Sequence, residues 1–339
     1  MTVGDAAWLC AFAASLVAVL AASDRLVRAV EAAGDRFALP PGLVGLLAAA
    51  GADGPEVTAA IISRIKGEHE VGLGVILGSN LFNLAALLGI PVLIVGPIAV
   101  QRYGLVLNGG LMLLVTGPTA LLIAGVVPAL PTALFTCLVL VGYAALLIVP
   151  RQAVPARLAG LIGGHGQAPE QDEAAERARE REEDEGQGFP SSFRLIATGS
   201  ASTVVVIGGC ALLVNATLYL GPWLHLPRGW IGTFGLAILT SLPNLWVALA
   251  LARRRRGAVL MSTVCNSNTI NLIFGVCLPA VFVALTPSVL VHRLDVPVLS
   301  ALTLLALGLV WRNRGLGRIG AACLVTVYLA YAVSRTLLG

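Results

Sequence analysis

Charge is scarce in this sequence. Asp, Glu, Lys and Arg make up 12% of 339 residues against 57% hydrophobic residues, and mean hydropathy is +0.89. That balance excludes a soluble domain, in which about a quarter of residues are charged. Imidazole is scarcer still. Four histidines, His69, His165, His225 and His292, fall in expected loops or at helix ends, so no imidazole metal cluster is expected. The six cysteines, Cys10, Cys137, Cys210, Cys265, Cys277 and Cys323, stand singly in apolar runs with no C-x-x-C pair. This excludes a disulfide framework or zinc site and leaves them as small packing residues. Gly163-Gly164-His165-Gly166 lacks the Lys of a phosphate loop. With no Ser/His pair, no catalytic aspartates on facing helices and no metal-binding His motif, neither an enzyme nor a cofactor is expected.

What the chain has instead is long apolar runs. Measured against the roughly 20 residues needed to cross a bilayer, ten spans are expected: about Ala6 to Ala22, Pro41 to Ser63, Val71 to Val95, Gly104 to Val126, Pro131 to Val149, Phe193 to Leu218, Trp230 to Leu251, Ala258 to Leu285, Val296 to Trp311 and Ile319 to Leu338. The fold class is all-α, a polytopic membrane protein. The first run is short and ends in small residues, as a secretory signal does. It has no basic residue before it and Arg25, Arg28 and Arg36 after it, which suits a retained helix entering from outside.

With the N-terminus outside, 17 of the 22 basic residues fall on inner connections, among them Arg102, Arg194 and Arg253 to Arg256. Arg64, Lys66, Arg228, Arg293 and Arg335 stay outside. Loops rich in Lys and Arg stay in the cytoplasm, so both termini are placed outside a plasma (inner) membrane. The Arg253 to Arg256 run directly follows a span and reads as a topology anchor at the lipid headgroups, not a nucleic-acid patch. Asn215-Ala216-Thr217 matches a glycosylation acceptor by chance, since it lies at a helix end. Residues 151–192 form the one long polar segment, with nine acids from Glu170 to Glu185 against three arginines. No spaced Asp/Gly calcium loop occurs in it, so it reads as a cytoplasmic linker between five-helix repeats at 1–150 and 193–339.

One stretch is written twice. Ala52-Asp53-Gly54-Pro55-Glu56 and Ser79-Asn80-Leu81-Phe82-Asn83 recur 188 residues later as Thr240-Ser241-Leu242-Pro243-Asn244 and Ser267-Asn268-Thr269-Ile270-Asn271. Each copy puts a Pro inside one span and a Ser-Asn-x-x-Asn run inside the next. Matched pairs of interrupted hydrophobic helices point to an ion site at a repeat interface. Of 18 acidic residues only Asp53 and Glu56 fall well inside an expected span, where a charge costs about 2.5–3.5 kcal/mol on insertion scales. At i and i+3 they share a helix face, while Pro55 and Pro243 should each free a carbonyl, those of Gly51 and Leu239. Ser79 with Asn83, and Ser267 with Asn271, each share a face at i and i+4. Thr240, Ser241 and Asn244 complete the second copy. Carboxylates, amides, hydroxyls and freed carbonyls without thiol or imidazole suit hard cations such as Ca²⁺, Na⁺ or Mg²⁺.

At these residues the chain resembles the calcium/cation antiporter superfamily, the sodium/calcium exchanger membrane region. That family carries a G-T-S-L-P-E turn and a G-S-N-x-x-N/D run in each of two inverted repeats. The residues around Ser23-Asp24-Arg25 and Leu213-Val214-Asn215 are similar to the long helices that precede each repeat. The resemblance implies that Glu56 is a principal cation ligand with Ser79 and Asn83 beside it, faced by Thr240, Ser241, Ser267 and Asn271. It implies inorganic cations as cargo, with Ca²⁺ exchanged for Na⁺ or H⁺ by alternating access as the first and sixth helices slide. Two departures from the pattern matter: the second acidic turn residue is Asn244, and a first-repeat Ser is Asp53. Both negative charges then sit on one repeat. A monovalent cation/proton antiporter on the same scaffold, or a cation-binding membrane protein that transports nothing, are the alternatives.

Overall fold

The computed structural model describes residues 3–37, 39, 41–148, 192–223 and 225–338; the acidic linker, apart from its last residue, lies outside them. Eleven helices order the chain: α1 Val3–Arg36, α2 Pro41–Ala52, α3 Gly54–Ile65, α4 His69–Val95, α5 Arg102–Ile123, α6 Ala129–Ile148, α7 Ser192–Trp223, α8 Arg228–Arg253, α9 Gly257–Val281, α10 Val291–Asn313 and α11 Arg318–Leu338. Among the described residues nine helices are individually long and apolar enough to cross a bilayer. The 12-residue α2 and α3 are each too short, and together they make the tenth crossing. A two-residue antiparallel ladder, β1 Ile98–Ala99 with β2 Gly315–Leu316, ties the α4–α5 connection to the α10–α11 connection. Both connections therefore lie on one face of the bundle, as inverted repeats require. Gly315 sits at φ +156°, and a Cβ there would strike the Ile98 carbonyl.

Three expected boundaries are corrected. The first helix does not end at Ala22 but continues to Arg36, because the polar residues after Ala22 carry no helix breaker. Arg28 pairs with Asp24 one turn earlier, both largely exposed, an i, i+4 pair that supports a solvated helix end. At 1.5 Å per residue its 34 residues reach about 50 Å, well beyond a 30 Å hydrocarbon core. The ninth span begins at Val291 instead of Val296, through a π-helical turn over Val291–Asp295. The eighth ends at Val281, where Pro279 opens a short 3₁₀ turn.

The two long helices run antiparallel against one another. Trp8 stacks on Tyr219 with ring centroids 5.2 Å apart, and Val19, Ala22, Val206 and Cys210 form a small core between them. At the centre, α4 is buried on nearly every face. Its contact with α8 depends on glycine: a Cβ on Gly78 would strike the Thr233 carbonyl, and one on Gly232 would strike that of Val71. Small residues on both sides let the backbones touch, the usual means of helix association where lipid supplies no hydrophobic drive. Gly78→Ala should accordingly destabilise the fold by about 1–3 kcal/mol through overpacking, read as a lower melting temperature of the purified protein. An unchanged melt would mean that the helices separate freely.

Candidate cation site

The first repeat breaks where expected, and the break is one residue long. Pro55 lies at the start of α3 and cannot donate to Gly51, while Asp53 adopts φ −85°, ψ 0° between the two helices. Helical bonds on either side survive, Asp53 N–H to the Ala49 carbonyl at 2.9 Å and Val57 N–H to that of Asp53 at 3.1 Å. The carbonyl released at Gly51 does not remain free for a cation as expected. Ser23 of α1 donates its hydroxyl to it at 3.1 Å. From the other long helix, Cys210 Sγ approaches the Pro55 carbonyl at 3.5 Å. The second interruption does not form at all: α8 is helical through Pro243, the loss of one hydrogen bond being outweighed by close packing on α4. The symmetry expected of the two proline-bearing spans is therefore broken, and only α2 and α3 separate.

Across this break the two copies of the motif meet. Asp53, Glu56, Ser79, Asn83, Thr240, Ser241, Ser267 and Asn271 are all buried, with Glu56, Ser79, Asn83, Ser241 and Asn271 fully so; Asn244 is half-buried. Ser241 donates to Glu56 Oε1 at 2.9 Å. Ser267 donates to Asp53 Oδ1 at 2.7 Å, and Asn244 Nδ2 reaches the same oxygen at 3.3 Å. Asn83 Nδ2 in turn donates to Ser267 Oγ at 3.0 Å. Each first-repeat carboxylate is thus held by a hydroxyl from the second repeat. Thr240 directs its own hydroxyl proton back to the Leu236 carbonyl at 2.9 Å.

Two motif residues outside the expected ligand set have a different part. Asn80 Nδ2 donates to the Asn268 carbonyl at 3.1 Å, and Asn268 Nδ2 donates to the Asn80 carbonyl at 3.2 Å. They stand 188 positions apart, so the duplicated residue bonds to its own counterpart across the repeat interface. The doubled Ser-Asn-x-x-Asn spacing already contained this clasp.

The oxygens that remain are informative. Asp53 Oδ2, Glu56 Oε2, Ser79 Oγ, Asn83 Oδ1 and the Asn271 side-chain oxygen are buried with no hydrogen-bond partner. A buried polar atom left unsatisfied costs about 1–3 kcal/mol, more for a charged one. Among the described residues no Lys or Arg pairs with either carboxylate. These five come from the α2–α3 break, α4 and α9, and Asn80 Oδ1 and Asn271 Nδ2 are buried without a partner as well; oxygen is the donor that Ca²⁺ takes, six to eight at a time.

A further buried carboxylate escaped the sequence reading. Asp295, fully buried, lies in the π turn that opens α10, just ahead of the expected start of that span at Val296. Tyr331 donates to Asp295 Oδ1 at 3.0 Å, and Arg335 Nε lies 3.1 Å from the same atom, an ion pair not aligned as a hydrogen bond. Arg335 also comes within 3.8 Å of Glu70. In the first repeat the same device is uncharged: Tyr143, 188 positions before Tyr331, donates to Asn108 Oδ1 at 2.6 Å, and Asn108 also lies in a π turn. Paired with Arg335, Asp295 serves packing at the ends of α4, α10 and α11. Arg335→Met alone should cost about 3–5 kcal/mol by stranding the carboxylate, and adding Asp295→Asn should recover part of that loss. Equal melting of single and double variants would contradict the pairing.

Two inverted five-helix repeats that meet at a buried cluster of carboxylates, amides and hydroxyls define an inverted-repeat membrane transporter. The family described as sodium/calcium exchanger protein matches residues 7–150 and 195–337, and the chain belongs to that family. Inner membrane protein YrbG of Escherichia coli (strain K12) is 25% identical over 308 residues, 89% of this chain and 90% of that protein. Sodium/calcium exchanger MaX1 of Methanosarcina acetivorans is 26% identical over 146 residues, 43% of this chain and 41% of that one. The fold is that of an H⁺/Ca²⁺ exchanger CAX, with TM-score 0.72 at 15% identity over 98% of this chain and 86% of that one. It is shared with the sodium-calcium exchanger NCX_Mj, with TM-score 0.63 at 18% identity over 98% and 99%.

Proposed function

We propose that this chain is a secondary-active antiporter that moves Ca²⁺ in exchange for Na⁺ or H⁺, with Asp53 and Glu56 as the charged ligands and Ser79, Asn83 and Asn271 as neutral ones. The reading rests on the five orphaned oxygens around the α2–α3 break. Relatives described as Na⁺/Ca²⁺ and H⁺/Ca²⁺ exchangers support it. Ser241 and Ser267 orient the two carboxylates, leaving one oxygen of each for the cation. Empty, the site would carry uncompensated charge through low dielectric, which is costly. One Ca²⁺, or two monovalent cations, removes that cost. The site therefore switches sides loaded with either, and this couples the two fluxes. The long helices α1 and α7 touch the break through Ser23 and Cys210, so their sliding reaches the site directly.

Asn244 favours a second reading. Where the family places an acid, its amide donates to Asp53, and a second repeat that offers no carboxylate suits monovalent exchange. The two readings separate in liposomes holding the purified chain alone. Under the first, external Ca²⁺ drives Na⁺ or H⁺ out of the vesicles; Na⁺/H⁺ exchange indifferent to Ca²⁺ would establish the second.

A further inference from the structure

Arg64 lies in the last turn of α3 and is 2% exposed. Its Nη2 donates to the Val283 carbonyl at 2.6 Å, while Nε and Nη1 are buried with no acceptor. Among the described residues no carboxylate pairs with it. The dipole of its own helix end favours the charge, but only weakly. A guanidinium cannot shed its proton, and a buried charge without a counter-charge is expensive. Packing does not require this one: the stem lies against Gly72, where a Cβ would come within 2.7 Å of Arg64 Cγ, and an apolar side chain of similar length fits the same space. Ionisable groups retained inside a membrane bundle at such cost mark ion sites and pathways.

The same helix carries Glu56 eight residues earlier, directly after the break. At about 1.5 Å per residue their Cα atoms stand about 12 Å apart along α3, and the guanidinium, turned toward Val283 beyond the end of α9, lies about 15 Å from the carboxylates. That is too far for an ion pair and close enough for a field. The groups between are apolar. Val57, Ile61, Ile270 and Phe274 line a cleft with Ala50 and Gly54, which flank Asp53 in sequence, at one end and Arg64 and Val283 at the other. Apolar walls screen a charge far less than water does. At an effective dielectric constant of about 20, one charge at that distance weakens binding of a monovalent cation roughly fivefold and of a divalent one about twenty-five-fold.

We propose that Arg64 is a fixed internal positive charge that sets the site's preference between monovalent and divalent cations. It acts through its field, without touching the cation. With Asp53 and Glu56 it leaves one net negative charge on the buried set, so each positive charge brought to the site works against Arg64. Ca²⁺ meets that penalty twice, Na⁺ or H⁺ once. The native chain therefore holds Ca²⁺ less tightly than its two carboxylates alone would, which eases release and lets a monovalent ion compete. The inference rests on Asp53 and Glu56 being the charged ligands.

Isothermal titration of the purified full chain with Ca²⁺ and, separately, with Na⁺ tests this on two neutral variants. Arg64→Met keeps the packing of the stem, and Arg64→Gln keeps a donor for the Val283 carbonyl. Each should bind Ca²⁺ about twenty-five-fold and Na⁺, ion for ion, about fivefold more tightly than the native chain. A gain in affinity that grows with the charge of the cation is not what a damaged fold produces. Melting curves identify a variant that is unfolded, and either variant alone is decisive if folded. Unchanged or weaker Ca²⁺ binding by a folded neutral variant would overturn the proposal. Equal gains for both cations would overturn it in favour of a change in conformation. A native chain that binds neither cation would overturn the reading of the site itself, and this proposal with it.

Discussion

Replacing Glu56 by Gln should lower Ca²⁺ uptake by at least about a hundredfold, a loss of about 2.8 kcal/mol. The substitution keeps size and shape, and Gln can still accept the Ser241 hydroxyl that now reaches Oε1 at 2.9 Å. What changes is the other arm of the carboxyl. Oε2 is fully buried and has no donor, and an amide nitrogen there would turn two N–H groups toward the position a cation needs. The charge falls by one at the same time. Because Glu56 is held on α3 directly after the helix break, no mobile side chain can take its place. Uptake assays alongside a melting curve distinguish this outcome from unfolding: the variant should melt no lower than the native chain, since removing an unpaired buried charge relieves desolvation. Native-like uptake by a folded Glu56→Gln protein would remove Glu56 from the ligand set.

The second large effect concerns the misplaced acid. Asp53→Asn alone should abolish Ca²⁺ coupling, because one remaining carboxylate is neutralised by a single monovalent ion. Asn at position 53 still accepts from Ser267, so the fold has no reason to fail. Adding Asn244→Asp returns a carboxylate to the site from the opposite repeat, within reach of position 53: the two side chains already lie 3.3 Å apart. The double variant should regain Ca²⁺ uptake to within about tenfold of native, on the ground that a cation responds to the charge count of its ligands more than to which helix carries it. If Asp53→Asn/Asn244→Asp stays as inactive as Asp53→Asn, the position of the charge matters and not only its presence.

The meeting of the two motif copies was legible because the chain states the motif twice. A spacing of 188 residues carried by polar groups in apolar helices survives any error in helix boundaries, and it brought Asp53 to Ser267 and Glu56 to Ser241. Features that depend on where a helix begins were harder to read. Asp295 stands beside His292 and Arg293, so the segment reads as a loop, and only tertiary packing against Arg335 and Tyr331 draws it into the bundle. The tyrosine pair Tyr143 and Tyr331 keeps the 188-residue spacing too, but an aromatic in an apolar helix raises no signal. The length of α1 was hidden by its own charges, which are satisfied along the helix surface and not in a loop. Proline signals a missing donor but not its consequence: at Gly51 a serine from another helix takes the free carbonyl, and at Pro243 packing holds the helix unbroken. Those outcomes are set by neighbours far away in the chain, which local patterns do not encode.

Two buried carboxylates on one repeat, neutralised by a divalent cation or by two monovalent ones, are best tested by ⁴⁵Ca²⁺ uptake into proteoliposomes loaded with Na⁺ or with acid, comparing the native chain with Asp53→Asn/Glu56→Gln. Native protein should accumulate Ca²⁺ under at least one gradient, and the double variant under neither. Uptake unchanged in the double variant, or absent from folded native protein under both gradients, would contradict a Ca²⁺ antiporter built on these two side chains.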